Sequence, residues 1–137
     1  MQKRIEDFAP SGNYKPYQGT EDQFQITIAR YLDTIGAVWF HPANERRTAI
    51  ATDSRGRRYS PEGRKLQAKG VKKGVPDVMV MNQRKGYNGL AIELKAKRNK
   101  PTEDQLIYLG KLRGIGWFVY VSNSLDETLD LIEWYFN

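Results

Sequence analysis

The sequence predicts an α/β fold in which a mixed central sheet is flanked by helices in three layers. Four segments begin with helix-capping residues, and four short apolar runs have the composition of strands. Along the chain they follow the order helix, strand, helix, strand, strand, helix, strand, helix. A length of 137 residues and a hydrophobic content of 39% suit one compact domain with its own core.

The first predicted elements follow an N-terminal arm. Residues 1–18 show no periodicity, and we expect them to lie over the surface of the domain. Thr20 and Gln23 form the capping-box pattern that begins a helix, and Gly36 ends it. The run 37–41 that follows is a predicted strand.

The same signals define the rest of the chain. Residues 42–59 are basic and aperiodic, so we predict an irregular segment there. The later predicted elements are a helix from Ser60-Pro61 to Gly70, strands at 78–81 and 90–96 joined by a turn region with Gly86, Asn88 and Gly89, a helix from Thr102 to about Arg113, a strand at 117–121, and a last helix capped by Ser124 and Glu127.

Positive charge is concentrated in one segment of the predicted single domain at residues 19–137. The net charge of the chain is +6, and residues 45–73 hold ten basic side chains against three acidic ones. A local cationic segment of this kind suits a polyanion partner, although a solvated basic loop would show the same pattern. The residues predicted to contact nucleic acid are Arg46, Arg47, Arg55, Arg57, Arg58, Lys69, Lys72 and Lys73.

Composition excludes several kinds of chemistry. The chain has no cysteine, which excludes disulfides, thiolate metal sites and thiol catalysis. No apolar run approaches the roughly 18 residues of a membrane span, and the N-terminus lacks the apolar core of a signal peptide. We therefore expect a protein of the reducing cytoplasm with no role in a membrane.

Asp77 and Glu93 are predicted to face each other across the two middle strands. If the hairpin between these strands is centred on Lys85, Asp77 lies directly opposite Glu93, with Cβ atoms about 5 Å apart. Two carboxylates at that distance repel unless one is protonated or a cation lies between them. Because Lys95 shares the strand face of Glu93, two acids and a lysine converge on one sheet surface.

Two helices each bring one polar side chain to the end of their apolar stripe. Glu21 lies three residues before Phe24 and seven before Ile28, and Gln105 lies four residues before Leu109. At helical spacing, both side chains are predicted to point inward rather than to solvent.

Carboxylates without a histidine cluster favour a hard divalent ion such as Mg²⁺ or Mn²⁺. A neighbouring lysine supplies a positive charge that can orient a water molecule or stabilise a pentavalent phosphate. Next to a basic surface, this constellation is typical of phosphodiester hydrolysis.

These residues resemble a known signature. Gly74-Val75-Pro76-Asp77 followed by Ile92-Glu93-Leu94-Lys95 resembles the PD-(D/E)xK nuclease motif, and the wider order of residues resembles the virus-type replication–repair nuclease (VRR-NUC) family. The likeness spans roughly residues 20 to 122, and its further members are Glu21, His41-Pro42-Ala43-Asn44-Glu45, Lys69-Gly70 and Gln105.

The resemblance implies a restriction-endonuclease-like core and a metal-dependent endodeoxyribonuclease. Asp77, Glu93 and the backbone carbonyl of Leu94 would hold Mg²⁺ or Mn²⁺, and Glu21 would complete the metal site directly or through water. Lys95 would orient or activate the attacking water, with support from Gln105. The implied catalytic residues are thus Glu21, Asp77, Glu93, Lys95 and Gln105.

A stand-alone domain of this size resembles the phage-type members of the family. That likeness implies a homodimer acting on branched DNA such as four-way (Holliday) junctions, in the host-cell cytoplasm if the protein is phage-encoded. Two symmetric cuts would need two active sites, which a dimer supplies.

Each of these residues also has a simpler structural interpretation. Asp77 could serve the turn after a proline, and Glu93 with Lys95 could form an exposed ion pair on an uncovered sheet face. Glu21 could favour the helix dipole, and Gln105 could act only in its capping box.

Two residues and two rival functions stay open at this point. His41 is most simply a strand-end residue, and Glu45 could supply a further acid at the metal. One rival function is a nucleic-acid-binding module without chemistry that uses the 46–73 segment. The other is a structural or interaction protein in which the acidic cluster holds a metal only for stability.

Overall fold

The computed structural model describes residues 8–10, 12–42 and 51–137. No helix in these ranges is long and apolar enough to cross a membrane. The elements in chain order are α1 (Glu21–Thr34), β1 (Trp39–Phe40), β2 (Ala51–Thr52), β3 (Arg58–Tyr59), α2 (Pro61–Ala68), β4 (Val78–Val80), β5 (Leu90–Leu94), α3 (Glu103–Gly114), β6 (Phe118–Ser122) and α4 (Leu125–Phe136).

A four-stranded mixed sheet lies at the centre, with the strand order β1-β4-β5-β6. β4 pairs antiparallel with both β1 and β5, whereas β5 and β6 are parallel. A parallel pair needs a crossover connection, and α3 is that connection. The predicted mixed sheet flanked by helices is confirmed.

Helices cover the sheet on both faces. α1 and α4 pack on one face and α3 on the other, so β5 is buried along its whole length. The first face is built from Phe24, Ile28 and Leu32 of α1, Leu131, Ile132 and Tyr135 of α4, and Val78, Val80, Leu90, Ile92 and Leu94 of the sheet, whereas the second packs Leu109 and Leu112 of α3 on Met79, Ala91 and Val119.

The local helix signals form as predicted. Both capping boxes, Thr20 with Gln23 and Thr102 with Gln105, have their two reciprocal hydrogen bonds. Ser60 caps α2 and is followed by a proline in the first turn.

The cap of α4 differs from its prediction in one respect. Ser124 is the N-cap and accepts a hydrogen bond from the backbone of Glu127. The Glu127 carboxylate, however, accepts hydrogen bonds from the hydroxyls of Tyr120 and Ser122, and it thereby links α4 to β6.

The β4–β5 hairpin has the predicted register. Val78 pairs with Ile92, and the same register places Asp77 opposite Glu93. Lys85 and the glycine after it have φ angles of 56° and 82°. Two consecutive positive φ angles are what a type I′ hairpin turn requires.

The prediction of an irregular segment at 42–59 is wrong for residues 51–59. β2 and β3 pair antiparallel there as a short hairpin. Asp53 holds its turn, because its Oδ1 accepts backbone hydrogen bonds from Arg55 and Arg57, each at 2.9 Å. Residues 43–50 lie outside the described part of the chain.

The predicted strand at 37–41 is also longer than β1. The backbone N–H of Val38 donates to the side-chain oxygen of Asn82 at 2.7 Å, so a side chain takes the place of a ladder partner at this end.

The described part of the N-terminal arm lies along the domain. Phe8 packs against the aromatic side chains of the first face. The Tyr14 hydroxyl donates to Asp130 at 2.6 Å, and the Tyr17 backbone N–H donates to the carbonyl of Asn123 at 2.7 Å. The division of the chain into an arm and one domain stays a prediction.

Candidate active site

Asp77 and Glu93 lie side by side on the sheet face that α3 covers. Asp77 directly precedes β4, and Glu93 lies within β5 with only 1% of its surface exposed. A hydrogen bond links their carboxyls, and Asp77 Oδ2 also accepts the backbone N–H of Leu94 at 2.8 Å. The β4–β5 register therefore brings two acids into direct contact.

The Glu93 carboxyl is held in its protonated form. Burial raises its pKa to about 10, and the hydrogen bond and charge of Asp77 act in the same direction, whereas the charge of Lys95 opposes them. At neutral pH and without a bound cation, the Glu93 carboxyl thus keeps its proton. Glu93 Oε2 is buried and has no hydrogen-bond partner among the described residues. A buried carboxyl pair with an unpartnered oxygen has the chemistry to hold a hard cation in place of that proton.

Lys95 follows on the same strand face as Glu93. Its side chain is 8% exposed, and its backbone N–H donates to the carbonyl of Ser122 in β6 at 2.9 Å. An exposed ion pair on an uncovered face is therefore the wrong description of Glu93 and Lys95. A buried lysine beside a carboxyl pair supplies a fixed positive charge where water is largely excluded.

Glu21 reaches the end of β5 from the opposite layer. Its Oε2 accepts a hydrogen bond from Asn99 Nδ2 at 3.2 Å and lies 3.4 Å from the backbone nitrogen of Ala96. Its charge contributes to the raised pKa of Glu93, so the two groups are in electrostatic range. Within the described ranges, however, no three acidic or histidine side chains are grouped closely enough to hold one metal. The structure brings Asp77 and Glu93 together and leaves Glu21 beside them.

Gln105 has a structural role and also faces the site. Its side-chain oxygen accepts the backbone N–H of Thr102 at 2.8 Å in the capping box. It also lines a cavity of about 250 Å³ that Asp77, Lys72 and Lys73 border. The cavity therefore lies beside Asp77, with two lysines in its wall.

The loop before Asp77 lies against the first turn of α3. Gly74 has a φ of 74°, and a Cβ at this position would collide with the backbone carbonyl of Asp104. Only glycine fits this approach. Gly74 thus fixes the distance between the loop that carries Asp77 and the helix that carries Gln105.

Two residues at the site were not among the predicted catalytic residues. His41 follows β1, and its Nδ1 lies 2.7 Å from the backbone carbonyl oxygen of Asp77, so this strand-end residue holds the Asp77 backbone. Asn99 holds Glu21. His41 belongs to the 41–45 segment of the family resemblance, whereas Asn99 has no sequence signal beyond a polar loop; both act through contacts distant in sequence.

The residues predicted to contact nucleic acid lie in different surroundings. Lys72 and Lys73 border the cavity, whereas Arg57 Nε pairs with Asp53 Oδ2 at 2.9 Å in the β2–β3 turn. The backbone hydrogen bond from Arg57 is the main cause of the lowered pKa of Asp53. The remaining described members, Arg55, Arg58 and Lys69, are exposed, and Arg46, Arg47 and Glu45 lie outside the described residues.

Comparison with known proteins relates this chain to one domain family. The family model of the VRR-NUC domain matches residues 25–126. A solved structure described as a VRR_NUC domain protein has a TM-score of 0.61 and 24% sequence identity, over 85% of this chain and 88% of that one. No curated protein matches the chain. The range of the family model includes every predicted catalytic residue except Glu21.

Proposed function

Since the chain belongs to the VRR-NUC family of nuclease domains, we propose that it is an endonuclease that hydrolyses DNA phosphodiester bonds with Mg²⁺ or Mn²⁺. The buried contact between Asp77 and Glu93, with Lys95 beside it, carries this proposal. A structural role alone does not account for two acids and a lysine packed into one covered sheet face.

The two carboxylates and the backbone carbonyl of Leu94 would hold the metal. Oxygen ligands of this kind suit Mg²⁺ and Mn²⁺, and the unpartnered Oε2 of Glu93 fits a ligand role. When bound, the ion supplies Lewis-acid stabilisation of the phosphate and lowers the pKa of a coordinated water. The hydrogen bond from the Leu94 N–H keeps the Asp77 carboxylate oriented.

The remaining site residues act on water and phosphate. The Lys95 ammonium orients the nucleophilic water and offsets the charge that develops on the phosphate, an effect that the buried surroundings strengthen. Glu21, at the start of α1, completes the site through water. Gln105, at the cavity wall, supports the same water from α3.

The DNA contacts follow from the charges around the cavity. Lys72 and Lys73 bind phosphates without reading base sequence. Branched DNA, including four-way junctions, is the substrate that we propose, and a homodimer would supply the two active sites that paired cuts need.

The decisive experiment is cleavage of labelled four-way junction, flap and linear DNA with Mg²⁺, Mn²⁺ or EDTA. We expect the wild type to cut with either metal, and Asp77→Asn and Lys95→Ala to lose at least about a hundredfold in rate. Glu133→Gln, which changes an exposed acid in α4, is the matched control and should cut like the wild type. Thermal unfolding of each variant separates lost chemistry from lost fold.

The rival functions give different results in the same assay. A binding module without chemistry would bind DNA and cut none of the substrates with either metal. If the metal were purely structural, EDTA would lower the melting temperature of the protein, and no DNA would be cut with either metal. Full activity of Asp77→Asn would overturn the proposed site.

A further inference from the structure

A second group of basic residues lies near the carboxyl pair, outside the basic segment at 45–73. The loop between β5 and α3 carries Lys97, Arg98 and Lys100, all exposed. We call residues 97–100 the Lys97 loop. It begins two residues after Lys95.

The Lys97 loop is fixed beside Glu21. Asn99 donates to Glu21 through its side chain at 3.2 Å, and its backbone N–H closes a turn onto the carbonyl of Ala96 at 3.1 Å. The Lys97 backbone N–H donates to the carbonyl of Tyr17 in the arm at 2.8 Å. The loop is therefore held from α1 and from the arm at once.

The backbone of the loop is strained where it bears charge. Lys97 has a φ of 55°, in the left-handed region that costs a residue with a β-carbon about 1 kcal/mol or more. Strain of this kind is concentrated at ligand-binding positions. Here, the hydrogen bonds to Tyr17 and from Asn99 hold it in place.

The three charges have no counter-ion among the residues that the structure describes. In the part of the chain that the structure describes, none of the three basic side chains makes an ion pair. Of the acids that flank the loop along the chain, Glu93 is buried and Glu103 and Asp104 begin α3, whereas Glu21 is hydrogen-bonded to Asn99. Three clustered cations without a partner form a site for an external polyanion.

This site adjoins a different acid from the lysines of the cavity. Lys72 and Lys73 line the cavity beside Asp77, whereas the Lys97 loop contacts Glu21 at the start of α1 through Asn99 and then leads into Thr102, which lines the same cavity. We propose that the Lys97 loop binds the phosphates that flank the cleaved bond on the Glu21 side, so that one nucleic-acid strand crosses the site between the two basic groups. The position of the cut between them rests on the proposed function.

The test compares two triple variants of equal charge in DNA binding. Fluorescence anisotropy with fluorescein-labelled linear duplex and four-way junction, in EDTA and across a salt series, gives the slope of log affinity against log salt. The loop variant is Lys97→Ala, Arg98→Ala, Lys100→Ala, and the control is Arg30→Ala, Lys111→Ala, Arg113→Ala, which removes exposed charges from α1 and from the far end of α3.

We expect the loop variant to lose up to about 0.9 of slope for each phosphate contact, and the control to keep the wild-type slope. Equal slopes for the loop variant and the wild type, or an equal loss in the control, would overturn the inference. If a triple variant fails to fold, Arg98→Ala and Arg30→Ala repeat the comparison at one charge each.

The result is separable from the proposed function. A wild type that binds DNA but cuts none of the substrates contradicts the nuclease proposal, whereas the slopes still decide whether the loop binds phosphate. A wild type without measurable DNA affinity overturns both.

Discussion

At the scale of single residues, Glu93 shows how a fold changes the chemistry of a side chain. An acid buried against a second acid keeps its proton far above its ordinary pKa. A cation that bound to the Glu93 carboxylate would therefore have to displace this proton.

The raised pKa of Glu93 determines how the free energy of unfolding should depend on pH in the absence of metal. The pKa of Glu93 is about 10 in the folded protein and near 4.5 when unfolded, so the folded state binds more protons between these values. The stabilisation is complete below the unfolded value and is lost as pH rises toward the folded one. In EDTA, the free energy of unfolding should thus fall from about pH 5 to about pH 9, by at most about 1.4 kcal/mol per pH unit.

Urea unfolding of wild type and Glu93→Gln measures this effect. The amide cannot ionise, so the variant should have a flatter pH profile and be the more stable protein at high pH. Glu133→Gln should keep the wild-type profile. An unchanged profile in Glu93→Gln would show that another group carries the proton.

Gly74 gives a second prediction at the residue scale. Gly74→Ala combines a positive φ with a contact to the Asp104 carbonyl, and it should cost about 1–3 kcal/mol in the free energy of unfolding. Gly110, in α3, has open space around its Cβ position, so Gly110→Ala should instead stabilise by up to about 1 kcal/mol. Urea unfolding distinguishes them, and equal effects would contradict the packing argument.

At the scale of elements, α1 and α3 begin with the same Thr–Gln capping box, so a comparison of the two glutamines can separate the capping role of Gln105 from a role at the cavity. Gln23→Ala and Gln105→Ala each remove the same reciprocal hydrogen bond, from α1 and from α3. Both should destabilise by about 1 kcal/mol or less. Only Gln105 lines the cavity, so only Gln105→Ala should reduce cleavage beyond this loss of stability.

Cleavage rates measured well below both melting temperatures test the difference. Thr102→Ala removes the same cap of α3 and leaves the Gln105 amide in place. Although Thr102 also lines the cavity, we expect this variant to keep most of the activity, because the amide is the group that acts there. Equal activity losses in Thr102→Ala and Gln105→Ala would leave Gln105 with its capping role alone.

The sequence predicts those elements whose signals are local. The helix caps at Thr20, Ser60 and Thr102 depend on residues within one turn, and the register of β4 and β5 follows from a short hairpin. The β2–β3 hairpin could not be predicted from periodicity, because its strands have two residues each. Only the turn from Asp53 to Gly56 has the residue types that indicate a hairpin there.

The site is less accessible to sequence reasoning than the sheet. The contact of Asp77 with Glu93 follows from hairpin register, which a sequence can give. The contacts of Glu21 with Asn99 and of His41 with Asp77 join segments far apart in the chain. They depend on how layers pack, and no local pattern encodes that.

At the scale of the whole molecule, the candidate site draws on both helical layers and on the sheet between them. A metal held there would bind the folded state and not the unfolded chain, and so it would stabilise the entire fold. At a metal concentration about a hundredfold above the dissociation constant, the gain is about 2.7 kcal/mol.

Thermal unfolding with EDTA, Mg²⁺ or Mn²⁺ measures that gain. The wild type and Glu133→Gln should melt at higher temperature with metal, and Asp77→Asn should show little change. A full metal response in Asp77→Asn would place the ion elsewhere in the protein.

The backbone hydrogen bonds of Tyr17 affect which part of the molecule opens locally. Its two backbone groups join the segments that follow β5 and β6, since it donates to Asn123 and accepts from Lys97. Protection of the Lys97 amide from deuterium exchange therefore depends on a residue near the start of the chain. Detachment of the arm would release that amide while the sheet stays intact, so exchange at Lys97 reports a local opening of lower free energy than global unfolding.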